Sequence, residues 1–505
     1  MNDSVARRVA DACRLVVPRL APGPIREAVE TVRSSLDQPL RVAVAGRLKA
    51  GKSTLVNAIL GQRIAATDVA ECTKVVTQYQ YGFPERVEIV HRDGSRHELP
   101  LELDSNGAAH IPLRVEAVDI ESVLVWLSND ALRDLTLIDT PGLASLTPGV
   151  SERTSELLAI DDASRTAIAQ AHAVVFLISQ SPKRDEVESL TALREALGGV
   201  GGSAGNAIGV LTKADKMGDG TDEDAWQVAL RITKRYAADP ALRTVVATVL
   251  PLIGLLAETA ESGLLTEADV RNLRLLAGMD GNQREVLLLG ADAFMAAAGA
   301  LPSDQAERLL AALDLYGLRR ALQFLDEQDA DASSLHRHLR RISGIDSLRH
   351  LLDESFAARA DVLKAEAACS ALERVVHELP VGADTASQVA LRDMLEEIRL
   401  DPSTHALNEL RALRMCATDQ SIDLPPGLAD DLRRVLTEME VTRRLGVEQG
   451  AGGVVLQEAA LLGAARWNAF RNGGRASPNE ARVADIVSRT YSLLWEAADA
   501  AAVAR

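Results

Sequence analysis

Gly46-Arg-Leu-Lys-Ala-Gly51-Lys52-Ser53-Thr54 is the stretch on which the reading of this chain turns. It has the form G-x-x-x-x-G-K-[ST] and stands where that pattern has mechanical meaning. Arg41-Val-Ala-Val-Ala45 before it reads as a buried strand, and Lys52–Gly61 after it continues with helical spacing. Glycines let the backbone wrap a phosphate chain, and a helix N-terminus turns unpaired N–H groups towards the anion. The spacing places Gly46, Lys49, Ala50, Gly51 and Thr54 around the phosphates. Lys52 then reaches the β- and γ-phosphates, and Ser53 is the expected Mg²⁺ ligand.

Two further strand ends extend this reading. In Leu137-Ile-Asp139-Thr-Pro-Gly142, Asp139 is expected to hold Mg²⁺ through water and the Gly142 N–H to meet the γ-phosphate. In Gly209-Val-Leu-Thr212-Lys213-Ala214-Asp215, the Asp215 carboxylate can accept two hydrogen bonds from guanine N1–H and the exocyclic amine. Adenine lacks both donors and would leave a carboxylate unpaired, so GTP and GDP are the expected nucleotides. The stem of Lys213 can cover the base. Ile253 and Gly254, after a fourth strand, could touch the guanine edge. Between the P-loop helix and the next strand, Ala65–Thr77 is the expected first switch. Thr73 is its Mg²⁺-sensing hydroxyl, with Thr67 the rival.

Composition bounds the rest. The chain has 505 residues, is 47% hydrophobic with only 3% aromatic residues, and carries a net charge of −17. Leu, Val, Ile and Ala must therefore build the core, which favours helices. The acidic balance argues against a nucleic-acid partner, whose phosphates need a basic face. The 4 cysteines show no metal-ligand spacing and suit a reduced, cytoplasmic chain. No apolar run reaches the ~20 residues of a membrane span, so any membrane association is expected to be peripheral.

The expected fold is an α/β P-loop domain with a mostly parallel sheet, joined to an elongated all-α neck or trunk. Strands are read at Val75–Tyr81, Arg86–His91, Ser122–Leu127, Leu135–Ile138, Ala173–Ile178, Ala207–Leu211 and Thr244–Leu250. After residue 255, Leu and Ala recur at helical spacing, with the last helices at Ala357–Leu379, Ala386–Arg399, Leu407–Met415, Leu428–Gly446, Val455–Arg471 and Asn479–Ala504. The division is 1–38 as N-terminal helices packing on the stalk, 39–255 as the P-loop domain, 256–355 as its helical extension, and 356–505 as the neck.

With these motifs placed, the chain resembles bacterial dynamin-like proteins, the actinobacterial isoniazid-inducible branch above all. The carrying residues are Gly46–Ala58, Thr67–Thr77, Asp139–Gly142, Ala173–Leu177 and Ser343–Leu348, followed by Arg359 and Leu363–Ala365. The resemblance implies a GTPase that self-associates through its GTPase domain and remodels or severs anionic phospholipid membrane at the inner face of the cell. A regulatory GTPase that switches protein partners is the alternative; a ribosome-assembly GTPase fits the charge poorly. Two departures matter. Leu143 stands where signalling GTPases carry a water-orienting glutamine, and Leu48 cannot hydrogen-bond a water. Lys49 occupies the position of the arginine finger of guanylate-binding proteins, so it is a candidate catalytic cation acting in cis. For the membrane, Arg466-Trp467-Asn-Ala-Phe470-Arg471-Asn-Gly-Gly-Arg475 is read as a tip, with Trp467, Phe470, Arg471 and Arg475 facing lipid. Gly446–Leu456 is the rival tip.

Overall fold

The computed structural model describes residues 4–47, 49–65, 75–103, 109–110, 120–141, 166–168, 170–179, 205–217, 224–297, 299, 301–378, 385–419 and 421–503. Leu48, Thr67, Thr73, Gly142 and Leu143 lie outside them. The strands are β1 (Leu40–Gly46), β2 (Val76–Tyr81), β3 (Arg86–His91), β4 (Arg96–Pro100), β5 (Glu102–Leu103), β6 (Ala109–His110), β7 (Ile120–Leu127), β8 (Leu135–Asp139), β9 (Ala173–Ser179), β10 (Ala207–Thr212) and β11 (Val249–Leu252). Nine of them form one sheet in the order β11-β10-β9-β1-β8-β2-β7-β3-β4.

From β11 to β8 every pairing is parallel, and these strands are the continuous apolar runs expected of a sheet covered on both faces. Beyond β8 the sheet is mixed. β2 runs antiparallel to β8 and parallel to β7, and β3 and β4 close it as a hairpin turned at Asp93-Gly94. Alternation along β1 shows the two layers. Val42 and Val44 face the P-loop helix (Lys52–Leu60) with Ile345 and Leu348, whereas Ala43 and Ala45 face the helices that carry Tyr236, Leu256, Leu273, Leu318 and Leu339.

One strand differs from its expected place. The sequence pattern places the last strand at Thr244–Leu250, but Pro240–Val245 is helical and the strand is Val249–Leu252. Proline is pre-set for a first helical turn, and Asp239 caps it by accepting from the Leu242 N–H at 3.1 Å. Pro251 inside β11 is tolerated because β11 is an edge strand. The expected helix Leu428–Gly446 is also two, Pro426–Thr437 and Val441–Leu445.

Both ends of the chain build the helical region. Helices Val5–Val16 and Pro24–Ser35 pack on Ala360–Glu378 and Thr385–Leu400 through Val9, Cys13, Ile25, Val29, Leu372 and Leu391. Arg8 pairs with Asp401 at 3.2 Å, and the Ala21 N–H donates to Ser387 Oγ at 3.0 Å. Helix Ile345–Leu352 leaves the sheet and passes through a π-helical turn, Asp353–Ala357, into Ala360–Glu378. The C-terminal helices return to the sheet domain, where Arg243 pairs with Asp430 at 2.5 Å and Arg433 donates to the Ala247 carbonyl at 2.7 Å. No described helix is long and apolar enough to cross a membrane.

Candidate nucleotide site

The three motifs meet because β1, β8 and β10 are parallel and each ends at the same edge of the sheet, where ligands of open α/β sheets bind. Gly46 closes β1 with φ of 155°, and a Cβ there would stand 2.9 Å from the Leu177 carbonyl oxygen, so only glycine fits. Gly51, with φ of 95°, turns the chain into the helix. Lys49 also has positive φ, 61°, and its side chain is exposed. Lys52 is buried and donates to the Gly46 and Arg47 carbonyls at 3.3 and 3.2 Å, which lays its ammonium across the loop. Burial lowers its pKa and Asp139 opposes that.

Register sets Asp139 opposite Val44 of β1 and Thr77 of β2. Thr140 fixes the strand end by donating its hydroxyl to the Val44 carbonyl at 2.9 Å. Ser53 Oγ donates to Asp139 Oδ2 at 2.8 Å, while Asp139 Oδ1 is buried without a partner. Burial pushes the Asp139 carboxyl up to about 6, against the pull of Lys52 and Ser53. A hydroxyl and an orphaned carboxylate oxygen on different elements are donors suited to a hard divalent cation that also binds phosphate oxygens. The donor set therefore fits Mg²⁺.

At the end of β10, the Thr212 hydroxyl donates to the Ile178 carbonyl at 3.4 Å. Lys213 takes left-handed torsions (φ 56°), and Ala214–Lys216 form one 3₁₀ turn with Ala214 buried beneath it. Asp215 is half-buried, and burial raises its pKa. Gly254 lies beside the P-loop helix, 3.5 Å from Thr54 Cγ2 at its Cβ position. The Ile253 N–H is held by the Ser343 carbonyl at 2.9 Å.

Two side chains that the sequence did not single out support this edge. Asn57, fully buried, accepts from the Ile64 and Ala65 N–H groups at 2.9 and 2.7 Å and donates to Ala65 O and Glu258 at 3.1 and 2.8 Å. All four of its hydrogen-bonding positions are used. It lies within the quoted P-loop helix, so its place was legible but its partners were not. Asp314 sits inside helix Ser303–Glu327 with φ 50° and ψ 178°. Such torsions cost a non-glycine residue about 1–3 kcal/mol. Its carboxylate pairs with Lys216 at 3.0 Å; part-exposed pairs of this kind contribute only about 0–1 kcal/mol. No spacing in the sequence announces it.

The expected lipid-facing tip at Arg466–Arg475 is corrected. Trp467 is fully buried, because Ala460, Gly463 and Trp467 form the face of helix Gly453–Asn472 that packs on helix Pro478–Val503. Its indole N–H donates to Asp431 at 2.7 Å. Phe470 is half-buried edge-on against Trp467, and Arg471 is paired with Asp485. Of the four, Arg475 is exposed without such packing.

A P-loop, a carboxylate-bearing strand end and a Thr-Lys-Ala-Asp loop on one sheet edge are the arrangement of a GTPase. Residues 42–214 match the Dynamin family. The isoniazid-induced protein IniC of Mycobacterium tuberculosis is 34% identical over 450 residues, covering 87% of this chain and 86% of that protein. Dynamin-like protein 2 of Campylobacter jejuni is 26% identical over 220 residues, 43% of this chain and 33% of that one. A solved bacterial dynamin pair aligns with 98% of this chain and 75% of its own, at 12% identity and a TM-score of 0.32, too slight a likeness to bear on function. The chain belongs to the dynamin family, and it hydrolyses GTP to GDP and phosphate.

Proposed function

We propose that this GTPase uses Mg²⁺-dependent hydrolysis to remodel anionic bilayer at the inner face of the cell membrane, self-associating through its GTPase domain. Ser53, Asp139 (through water) and Thr73 are the residues that would hold Mg²⁺, which supplies charge neutralisation at the phosphates when bound. Lys52 binds the β- and γ-phosphates, Gly51 and Gly142 offer backbone N–H groups, and Thr212, Lys213 and Asp215 orient the base. Lys49 is the cation for the charge that develops in the transition state. Its exposed side chain on the crest of the loop supports that role, as does Leu143, which cannot orient a water.

The observation that carries the membrane reading is an exposed aliphatic run. Val454, Val455, Leu461 and Leu462 are 76, 49, 64 and 61% exposed on helix Gly453–Asn472, directly after the glycine-rich loop 446–453. Exposed Glu458 shares this helical face and Arg466 at its border pairs with Asp431 at 3.5 Å, so the aliphatic side chains are the groups that suit a lipid interface. This face is the rival tip of the sequence, extended by two turns.

Single-turnover GTP hydrolysis and co-sedimentation with phosphatidylglycerol vesicles test both points. Wild type is expected to bind vesicles and to hydrolyse faster on them, and Leu461→Ser/Leu462→Ser to lose both responses. Lys49→Ala should slow the single turnover at least tenfold with nucleotide affinity little changed. Hydrolysis indifferent to vesicles would return the reading to a GTPase that switches protein partners.

A further inference from the structure

Helix Ser303–Glu327 lies beyond the three nucleotide motifs in sequence, yet it grips the guanine-selecting loop at both described ends. On the near side, Asp314 Oδ2 holds Lys216 Nζ at 3.0 Å, and Lys216 is the residue after Asp215. On the far side, Tyr316 donates its hydroxyl to Asp224 at 3.1 Å and Arg320 pairs with the same carboxylate at 2.5 Å. Asp224 in turn caps the helix Ala225–Ala238 by accepting from the Trp226 N–H.

The helix can do this because it is broken at Asp314. On one side of the break, the Ala312 carbonyl is taken by the Thr259 hydroxyl at 2.6 Å. On the other, Gly317 meets Leu256 so closely that a Cβ would stand 2.5 Å from its Cδ2. Leu313 and Leu318 are both buried. Packing on either side therefore fixes the break, and the ion pair, too weak to impose it, is what the break presents. A residue held in glycine-type torsions although it is not glycine is the kind of strain that concentrates at functional sites.

We propose that Asp314 is a positioning residue for guanine recognition: it clamps Lys216, and through the 3₁₀ turn it fixes where Asp215 meets the base. The proposal rests on Asp215 as the base-reading carboxylate. Asp314 also lies close enough to Asp215 for its charge to act on it, and Lys216 neutralises that charge. Lys216 thus has two tasks, anchoring the turn and shielding one carboxylate from the other.

Substitutions at the pair separate this role from a structural one. Asp314→Gly removes the carboxylate and suits the backbone torsions, so affinity and stability should move in opposite directions. In the full chain, its dissociation constant for a fluorescent GDP should rise about three- to fivefold, the range of one part-exposed ion pair. KM for GTP should rise with it and kcat should move less, while the urea midpoint holds or increases. Lys216→Ala should weaken binding more than Asp314→Gly, because it leaves two carboxylates facing each other. Adding Asp314→Gly to Lys216→Ala should then recover part of the loss. Wild-type GDP affinity in Asp314→Gly overturns the proposal, as does a parallel fall in affinity and stability. Asp215→Ala is the control: if it binds GDP like wild type, the base-reading assignment itself has failed.

Discussion

The nucleotide edge of the sheet and the C-terminal helical bundle position their polar groups by different means. At the sheet edge the placement is made by the backbone. Gly46 and Gly51 adopt torsions that only glycine takes readily, and Lys52 and Ser53 follow within the same short segment. In the bundle it is made by side chains far apart in sequence. Asp431 accepts from Trp467, 36 residues away, and from Tyr491, 60 away, and is paired with Arg434 at 2.5 Å. A second knot lies nearby, where the Thr490 hydroxyl and Arg444 both donate to Glu409 Oε1, at 3.0 and 2.6 Å, and His405 joins through Thr490. The sheet edge leaves a buried carboxylate oxygen of Asp139 without a partner, whereas the described bonds of Asp431 and Glu409 in the bundle all close on the bundle itself.

The sharpest way to break this contrast is to remove one polar group from each side. Asp431→Ala leaves the buried Trp467 N–H, the Tyr491 hydroxyl and a neighbouring guanidinium without their acceptor. Losing one partner of such a buried network is expected to lower stability by about 3–5 kcal/mol. Urea denaturation followed by helical circular dichroism measures that, while GTP turnover at a temperature where the variant is folded should stay within about twofold of wild type. A tenfold loss of turnover would mean that the bundle tunes the site.

Lys52→Ala should do the reverse. In its proposed role at the β- and γ-phosphates, losing this preorganised charge is expected to lower kcat by about 10²–10³-fold. Stability should hold or rise, because burial already depresses the lysine's pKa and its removal relieves that desolvation. Steady-state turnover beside an unfolding curve reads both. A marked drop in the unfolding midpoint would show that Lys52 is a structural member of the loop.

The same contrast explains what was legible in the sequence. The strands β1, β8, β9 and β10 and the places of Lys52, Ser53, Asp139 and Asp215 follow from local patterns, since strand, turn and helix start are each written in consecutive residues; the order of the strands in the sheet carries no such mark. Trp467 misled because an aromatic between arginines looks the same on a lipid-facing tip and in a core. Asp431, which decides the matter, belongs to another helix and carries no local mark. Asp314 escaped for a related reason. Beside the local bond from the Leu315 N–H to its carboxylate at 2.7 Å, its break is flanked by the Thr259–Ala312 bond and the Gly317–Leu256 contact, whose partners Thr259 and Leu256 are remote in sequence. The misplaced last strand had a readable cause, Asp239-Pro240 as a helix start.

A smaller effect divides the two regions by pH. His172 enters β9 buried, its ring Nδ1 accepting the Arg41 N–H at 2.9 Å while its backbone N–H donates to the Arg41 carbonyl at 2.8 Å. Burial pushes its pKa down to about 3, and Arg41 and Lys364 add to the fall. In the bundle His405 is also lowered by burial, but Glu409 beside it opposes the shift. A depressed folded pKa means that between pH 6.5 and about 3 the unfolded chain takes up a proton that the folded chain refuses. Stability carried by neutral His172 is therefore complete above 6.5 and is lost as pH falls through that window. By pH 5 the loss should reach about 2 kcal/mol, from 1.36 kcal/mol per pH unit. His172→Asn retains an acceptor for the Arg41 N–H and cannot titrate, so its stability should fall by that much less between pH 7.5 and 5. Hydrogen exchange at pH 5 locates the effect: amides of β1 and β9 should lose protection before those of helix His405–Thr418. Equal loss in both would show that His405 is as unwilling a proton acceptor as His172, and that acid does not distinguish sheet from bundle.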